Sequence, residues 1–279
     1  MFKQYLIALT FLVASTSFAA DLSFHSAHAL VMDETSGEVL FEKDATTPAP
    51  IASMTKLMTA MVVLDAHLSP DQPIRVEKAD FDTLKYTRSG VPLGTVLPRR
   101  TMIDIALMSS DNHAAAALAR TYPGGREAFV AAAKRKIAEL QLEDTVIEEP
   151  TGLSPRNHAT AHDMAKIAKA AAGYPQIEAA TSQRGAVVKV NGRARRFHNT
   201  NGLVGAPGWD IMLSKTGFTN EAGRCLTMRL EAAGRKVVVV LMGAVRSSAR
   251  TLDALNIHKL LDAKPAAIAE TRRAPQPRT

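Results

Sequence analysis

The sequence predicts an α+β domain in which both ends of the chain build one antiparallel sheet and the middle is helical. Three observations carry this. Short apolar runs bounded by turn residues fill the first and last thirds, 3.6-residue periodicity fills the centre, and strands do not alternate with helices as βαβ units would require. The 279 residues, 46% hydrophobic and 22% charged, are enough for a sizeable core.

Ala29 to Met32 and Val39 to Phe41 read as a β-hairpin around a turn that ends in Gly37. Ala45 to Pro50 reads as a loop with two prolines. A helix opens near Ser53, where Met54, Leu57, Met58, Met61 and Val62 share one face and Val63 and Leu64 widen it, so burial nearly all round is expected. Gln72 to Arg100 is broken by Gly90, Pro92, Gly94 and Pro98 and leaves room only for short strands. Met102 to Met108 reads as a helix that Ser109-Ser110-Asp111-Asn112 interrupts. A second helix resumes at His113 and stops before Pro123-Gly124-Gly125. Arg126 to Leu140 is amphipathic, with Val130, Ala133, Ile137 and Leu140 on one face. Thr160 caps a helix that runs to about Ala172, with Gly173 as its stop. Strands are expected at Ala186 to Val190, Ile211 to Thr216, Arg224 to Leu230 and Val237 to Leu241, with Ala232-Ala233-Gly234 as a hairpin turn. A helix from about Ser248 to Leu261 closes the domain.

The first residues read as an export signal. Lys3 is a short positive region, Tyr5 to Val13 is apolar except for Thr10, and Ser17-Phe18-Ala19 has small residues where a signal peptidase looks. Residues 1–19 are therefore expected to be removed, leaving a protein with no stable membrane insertion. Residues 20–263 are expected to form the folded domain, and 264–279 a basic, Pro-rich, disordered tail. The single cysteine, Cys225, lies in an apolar run and reads as a small buried hydrophobe. An exported chain without a disulfide fits a bacterial periplasm.

The formal charge is +7, of which the central part, Gln4 to Ala263, carries only +3. No basic stripe interleaved with aromatics appears there, so no nucleic-acid partner is expected. A weak attraction to an anionic polymer such as a cell wall remains open. His158 and His162 are four apart but lack an H-E-x-x-H frame or a cysteine cluster, so neither a metal nor a cofactor is expected. His198 could line a cleft and receives no role.

The chemistry is concentrated in Ser53-Met54-Thr55-Lys56, Ser110-Asp111-Asn112 and Lys215-Thr216-Gly217. Each occurs once, in this order, at a helix start, a helix break and a strand end. The set matches the S-x-x-K, S-D-N, K-T-G signature of penicillin-binding proteins and class A β-lactamases. The segments Pro50 to Thr59, Glu149-Pro150-Thr151-Gly152-Leu153 and Lys215 to Asn220 further resemble low-molecular-mass penicillin-binding proteins. So do Tyr122 to Gly125 and Asn199-Thr200-Asn201, and the likeness runs from about Ala27 to Leu261.

The resemblance implies a DD-peptidase/β-lactamase-like fold: an antiparallel sheet flanked by helices, with a helical subdomain. It implies Ser53 as nucleophile, with Lys56 beside it at i+3 as the base, its pKa lowered by burial. Ser110 would relay a proton to the leaving amine. Asn112 would grip the peptide backbone. Lys215 and Thr216 would hold a carboxylate, and Gly217 would let substrate approach the strand. Backbone N–H groups of Ser53 and Phe218 would form the oxyanion hole.

Expected partners are peptidoglycan stem peptides, β-lactams as covalent inhibitors, and other cell-wall enzymes. A β-lactamase would need an E-x-x-L-N segment, which is not found; Gly152 stands where the Leu belongs. The alternatives left are a DD-endopeptidase, a D-alanyl-D-alanine carboxypeptidase and a non-catalytic wall sensor. The short stretch after Leu261, with no β-rich second domain or anchor helix, and the likeness to endopeptidase members favour the first.

Overall fold

Val237 to Met242 is a run of six apolar residues, every one fully buried. Such a run fits a strand covered on both faces, and it forms the centre of the main sheet. The computed structural model describes residues 23–262; the expected signal peptide and the tail lie outside them.

The chain opens with β1 (His28–Asp33) and β2 (Val39–Lys43), which pair across the expected turn. A two-residue strand β3 (Ala49–Pro50) precedes α1 (Thr55–Asp65). β4 (Pro73–Arg75) and β5 (Val96–Pro98) pair around the irregular stretch. The helical region continues with α2 (Arg99–Met108), α3 (Asn112–Arg120) and α4 (Gly125–Glu139). After β6 (His158–Ala159), which pairs with β3, come α5 (Ala161–Ala171) and α6 (Pro175–Ser182). β7 (Gly185–Val190) and β8 (Arg193–His198) form a separate hairpin. The chain returns through β9 (Asp210–Thr219), β10 (Gly223–Ala232) and β11 (Arg235–Ala244) to α7 (Ser247–Asp262).

The main sheet has the order β2-β1-β11-β10-β9 and is antiparallel throughout. The two ends of the chain thus build one sheet, as expected. Strand alternation sorts its side chains onto two faces. Val238, Val240 and Met242 join one core with the residues of α1, α2, α3 and α5. Val237, Val239 and Leu241 join a second core with Ala254, Ile257 and Leu261 of α7. Every residue of α1 from Thr55 to Val63 is buried, which matches the expectation of an enclosed helix.

Four readings are corrected. The last two residues of the Ala45 to Pro50 loop form β3. In α4 the buried face is Phe129, Ala132 and Ala133, and Val130, Ile137 and Leu140 lie only partly buried along its border. The third motif lies inside β9, which runs on to Thr219, rather than at a strand end. Finally, α6 and β8 are elements the sequence reading passed over. Pro175 at the first turn of α6 suits a helix start. Asn191 and Gly192, at φ 47° and 81°, form the tight turn that such a pair favours.

Candidate active site

Ser53 lies in a 3-10 turn, Ala52–Met54, directly ahead of α1. Ala52 has φ 46°, a left-handed state that a non-glycine residue keeps only when its surroundings hold it. Two contacts do so. The Ile51 N–H donates to the Asn157 carbonyl at 3.1 Å. The backbone of Gly217 on β9 presses against the turn, where an added Cβ would stand 2.8 Å from the Ile51 oxygen and 3.2 Å from the Ser53 nitrogen. The close approach that Gly217 permits is therefore made by the chain's own 51–53 segment.

Lys56, the second residue of α1, is fully buried. Its ammonium donates to Ser53 Oγ at 2.8 Å, Asn112 Oδ1 at 2.7 Å and the Thr151 carbonyl at 2.6 Å. Two of these partners can only accept. When the lysine loses a proton, its two remaining hydrogens stay with Asn112 and Thr151, and the lone pair faces Ser53 Oγ. Burial pushes the Lys56 pKa down to about 8, against the pull of the Glu149, Asp111 and Asp82 carboxylates.

Glu149 is a residue whose part was not read from the sequence. Its carboxylate accepts from Thr151 N–H at 2.7 Å, Thr151 Oγ1 at 2.5 Å, Gly152 N–H at 2.6 Å and Asn157 Nδ2 at 3.1 Å. This holds the turn that offers the Thr151 carbonyl to Lys56. Gly152, at φ 82°, lies so close to Ala52 that a Cβ would run into the Ala52 carbonyl. The buried Asn157 bridges this turn to Thr55 Oγ1 at 3.2 Å.

The second motif occupies the break between α2 and α3. Ser110 has φ 59°. Asp111 caps α3, its carboxylate accepting from Ala114 N–H at 3.0 Å, and also holds Ser89 Oγ at 2.8 Å and Gly90 N–H at 2.6 Å. The capping role and the site thus coexist. The Asn112 amide is engaged at both ends, by Lys56 and by Thr87, whose Oγ1 accepts from Nδ2 at 2.7 Å. Thr87 takes one of the two Nδ2 hydrogens, which leaves the other for a peptide carbonyl. Thr87 is the second residue not read from the sequence; it sits on a loop that meets the site only in three dimensions.

On the sheet side, Lys215 is fully buried and donates to Ser110 Oγ at 2.9 Å and the Thr216 carbonyl at 3.0 Å. Burial, with repulsion from Lys56, pushes it well below the usual lysine range. Thr216 Oγ1 bonds Thr200 Oγ1 at 2.6 Å. Phe218 is about half exposed, with the Arg224 guanidinium 3.5 Å from its ring centroid. All eight residues singled out, Ser53, Lys56, Ser110, Asn112, Lys215, Thr216, Gly217 and Phe218, fall on this one junction of α1, the α2–α3 break and β9.

The histidines lie in other settings. His158 Nδ1 meets the Arg156 carbonyl, His162 Nε2 meets Glu42, and the His198 carbonyl accepts from Ser109 Oγ. Among the described residues no cluster of three His, Cys, Asp or Glu could hold a metal. Cys225 is buried, and burial raises its thiol to about 11.

Residues 14–246 match the model of the D-alanyl-D-alanine carboxypeptidase family, peptidase S11. The chain is 39% identical over 239 residues to a D-alanyl-D-alanine endopeptidase of Pseudomonas aeruginosa, covering 85% of this chain and 77% of that one. It is 38% identical over 251 residues to a D-alanyl-D-alanine endopeptidase of Escherichia coli, covering 89% and 81%. Its fold is similar to that of the Streptomyces K15 DD-transpeptidase, with TM-score 0.80 and 25% identity over 87% of this chain and 98% of that one. A D-alanyl-D-alanine carboxypeptidase of Mycobacterium tuberculosis gives TM-score 0.77 and 26% identity over 87% and 93%.

Proposed function

The chain belongs to the D-alanyl-D-alanine carboxypeptidase family of serine peptidases, and from that premise we propose that it is a periplasmic DD-endopeptidase. In this reading it hydrolyses D-Ala–diaminopimelate cross-links of peptidoglycan through an acyl-enzyme on Ser53. One observation carries the residue assignment: the Lys56 nitrogen is 2.8 Å from Ser53 Oγ, and its other two partners are obligate acceptors. A pKa of about 8 lets a useful fraction of the lysine be neutral near pH 7.

Lys56 takes the Ser53 proton as Oγ attacks the D-Ala carbonyl carbon. The backbone N–H groups of Ser53 and Phe218 receive the developing oxyanion. The proton passes to the leaving amine through Ser110, which bonds Lys215 at 2.9 Å. Lys215 and Thr216 hold the carboxylate on the leaving side, and Asn112 gives its second Nδ2 hydrogen to a peptide carbonyl. Water then hydrolyses the acyl-enzyme. β-Lactams acylate the same serine.

Glu149 bears on the β-lactamase alternative. At least four donors converge on its two oxygens, which leaves it poorly suited to orient a deacylating water. Slow release of bound β-lactam follows. The endopeptidase preference rests on the names of the relatives at 38–39% identity. For location, the expected export signal supports the periplasm, and no helix among the described residues is long and apolar enough to cross a membrane.

The test is digestion of purified sacculi and of defined muropeptides. Dimers are expected to become monomers faster than pentapeptides lose D-Ala. Faster release of D-Ala would make the enzyme a carboxypeptidase, and acylation without any product would make it a sensor.

A further inference from the structure

The net charge of +3 over the central chain hides a local concentration. Between Gln183 and Trp209 there are five basic residues, Arg184, Lys189, Arg193, Arg195 and Arg196, and no Asp or Glu. All five are exposed, and they stand on or beside the β7–β8 hairpin. The hairpin is a two-stranded sheet of its own. It is held by its buried Val190 and Phe197, not by ion pairs, and among the described residues none of the five cations meets a carboxylate. Among the described residues four of these side chains make no hydrogen bond, while Arg195 donates to the Gly90 carbonyl at 2.8 Å.

The hairpin is also tied to the cleft. Its Phe197 ring lies against Gly90, on the loop that carries Thr87. The His198 carbonyl accepts from Ser109 Oγ at 3.0 Å, next to Ser110. Two residues on, Thr200 bonds Thr216 through their hydroxyls at 2.6 Å and the Met108 carbonyl through its N–H at 3.1 Å. Strands of six residues extend about 20 Å, so the cations reach well past the residues that handle the peptide.

A cluster of exposed, uncompensated cations beside a cleft draws anions to it and raises the rate of productive encounter. The geometry points to the β7–β8 hairpin as the docking surface for cross-linked peptidoglycan itself, whose stem peptides carry free carboxylates beyond the bond that is cut. This rests on the reading of the cleft as a site for stem peptides. It adds a polymer-binding surface separate from the acylation residues. Thr200, two residues past the hairpin, meets Thr216, the residue assigned to the leaving side, so the leaving stem and its strand are the part that lies across the hairpin.

The experiment uses the triple variant Lys189→Glu, Arg193→Glu, Arg196→Glu, which spares Arg195 and its bond to the loop. Two quantities are read: co-sedimentation with purified sacculi, and the ratio of the sacculus digestion rate to the penicillin acylation rate. At low salt the variant is expected to lose about tenfold in both, the low end of electrostatic steering. Salt of about 0.5 M, which shortens the screening length to a few ångströms, should bring the wild type down to the variant. Equal binding and an unchanged ratio would overturn the proposal. So would tighter binding of the wild type to anionic phospholipid vesicles than to sacculi, which would make the partner a membrane. The products of the same digests report separately on the endopeptidase reading: D-Ala without monomers would end that reading while leaving the binding result to stand or fall alone.

Discussion

The helical and the sheet side of the cleft each bury a lysine, and they treat it differently. Lys56 sits in a wired polar network, with Asn112 and Thr151 as direct acceptors and the Glu149, Asp111 and Asp82 carboxylates at longer range. Among the described residues Lys215 has only Ser110 Oγ and its neighbour's carbonyl as acceptors, and the charge it feels most is that of Lys56. The first lysine is poised near neutrality by the protein alone. The second is pushed well below the usual lysine range by burial and by Lys56, with no carboxylate to offset them. A substrate carboxylate supplies the charge that the sheet side lacks, so binding at Lys215 and readiness at Lys56 are coupled through their mutual repulsion.

The largest effect is expected at the helical lysine. Lys56→Arg keeps the cation but cannot give up its proton, and penicillin acylation should fall about a thousandfold, within the range of general-base catalysis. Near-wild-type acylation would reduce Lys56 to a structural cation and erase the contrast.

Next comes the seam where the two sides touch. Gly217→Ala would set a Cβ 2.8 Å from the Ile51 oxygen and push β9 off the Ser53 turn. Acylation should fall about a hundredfold, the cost of misplacing reacting groups by about an ångström. A variant with unaltered rate would show that the turn tolerates β9 at a distance.

Glu149→Gln sharpens the electrostatic half. Glu149 raises the Lys56 pKa, so its loss lets that pKa fall below about 8. The acid limb of the acylation pH–rate profile should then move to lower pH, while the maximal rate drops about tenfold through the weakened hydrogen bonds to the 149–152 turn. A lower rate with an unmoved profile would leave Glu149 a purely structural role.

The smallest effect belongs behind the sheet lysine. Cys225 pairs with Gly217 across β9 and β10 and faces the core. With its thiol raised to about 11 by burial, it should resist thiol reagents in the native state. Cys225→Ala should cost about 1 kcal/mol and change acylation less than about twofold. Rapid labelling of the native protein would show that the sheet opens.

What the sequence made legible follows the range of each interaction. Ser53 and Lys56 were readable because a helix brings i and i+3 together. The sheet built from both chain ends was readable from apolar runs such as Val237 to Met242, but Ala186 to Val190, read among the same strands, pairs in the separate β7–β8 hairpin. The Asn191-Gly192 turn was a usable signal for the β7–β8 hairpin that went unread, because the arginines of β8 mask its alternation. Glu149 and Thr87 could not be found this way. They act through a backbone turn and a loop that reach the site only after folding, and neither motif nor periodicity marks such contacts. Gly217 was read as a point of close approach for substrate, and the body that lies against it in the structure is the 51–53 turn.

The central claim, that Ser53 is the acylated nucleophile of a serine DD-peptidase, is tested most directly by peptide mapping after brief exposure to a fluorescent penicillin. The account predicts one stoichiometric adduct, on the peptide that contains Ser53, absent in Ser53→Ala and persisting for many minutes because deacylation is slow. An adduct on another residue, or labelling that survives Ser53→Ala, would contradict it.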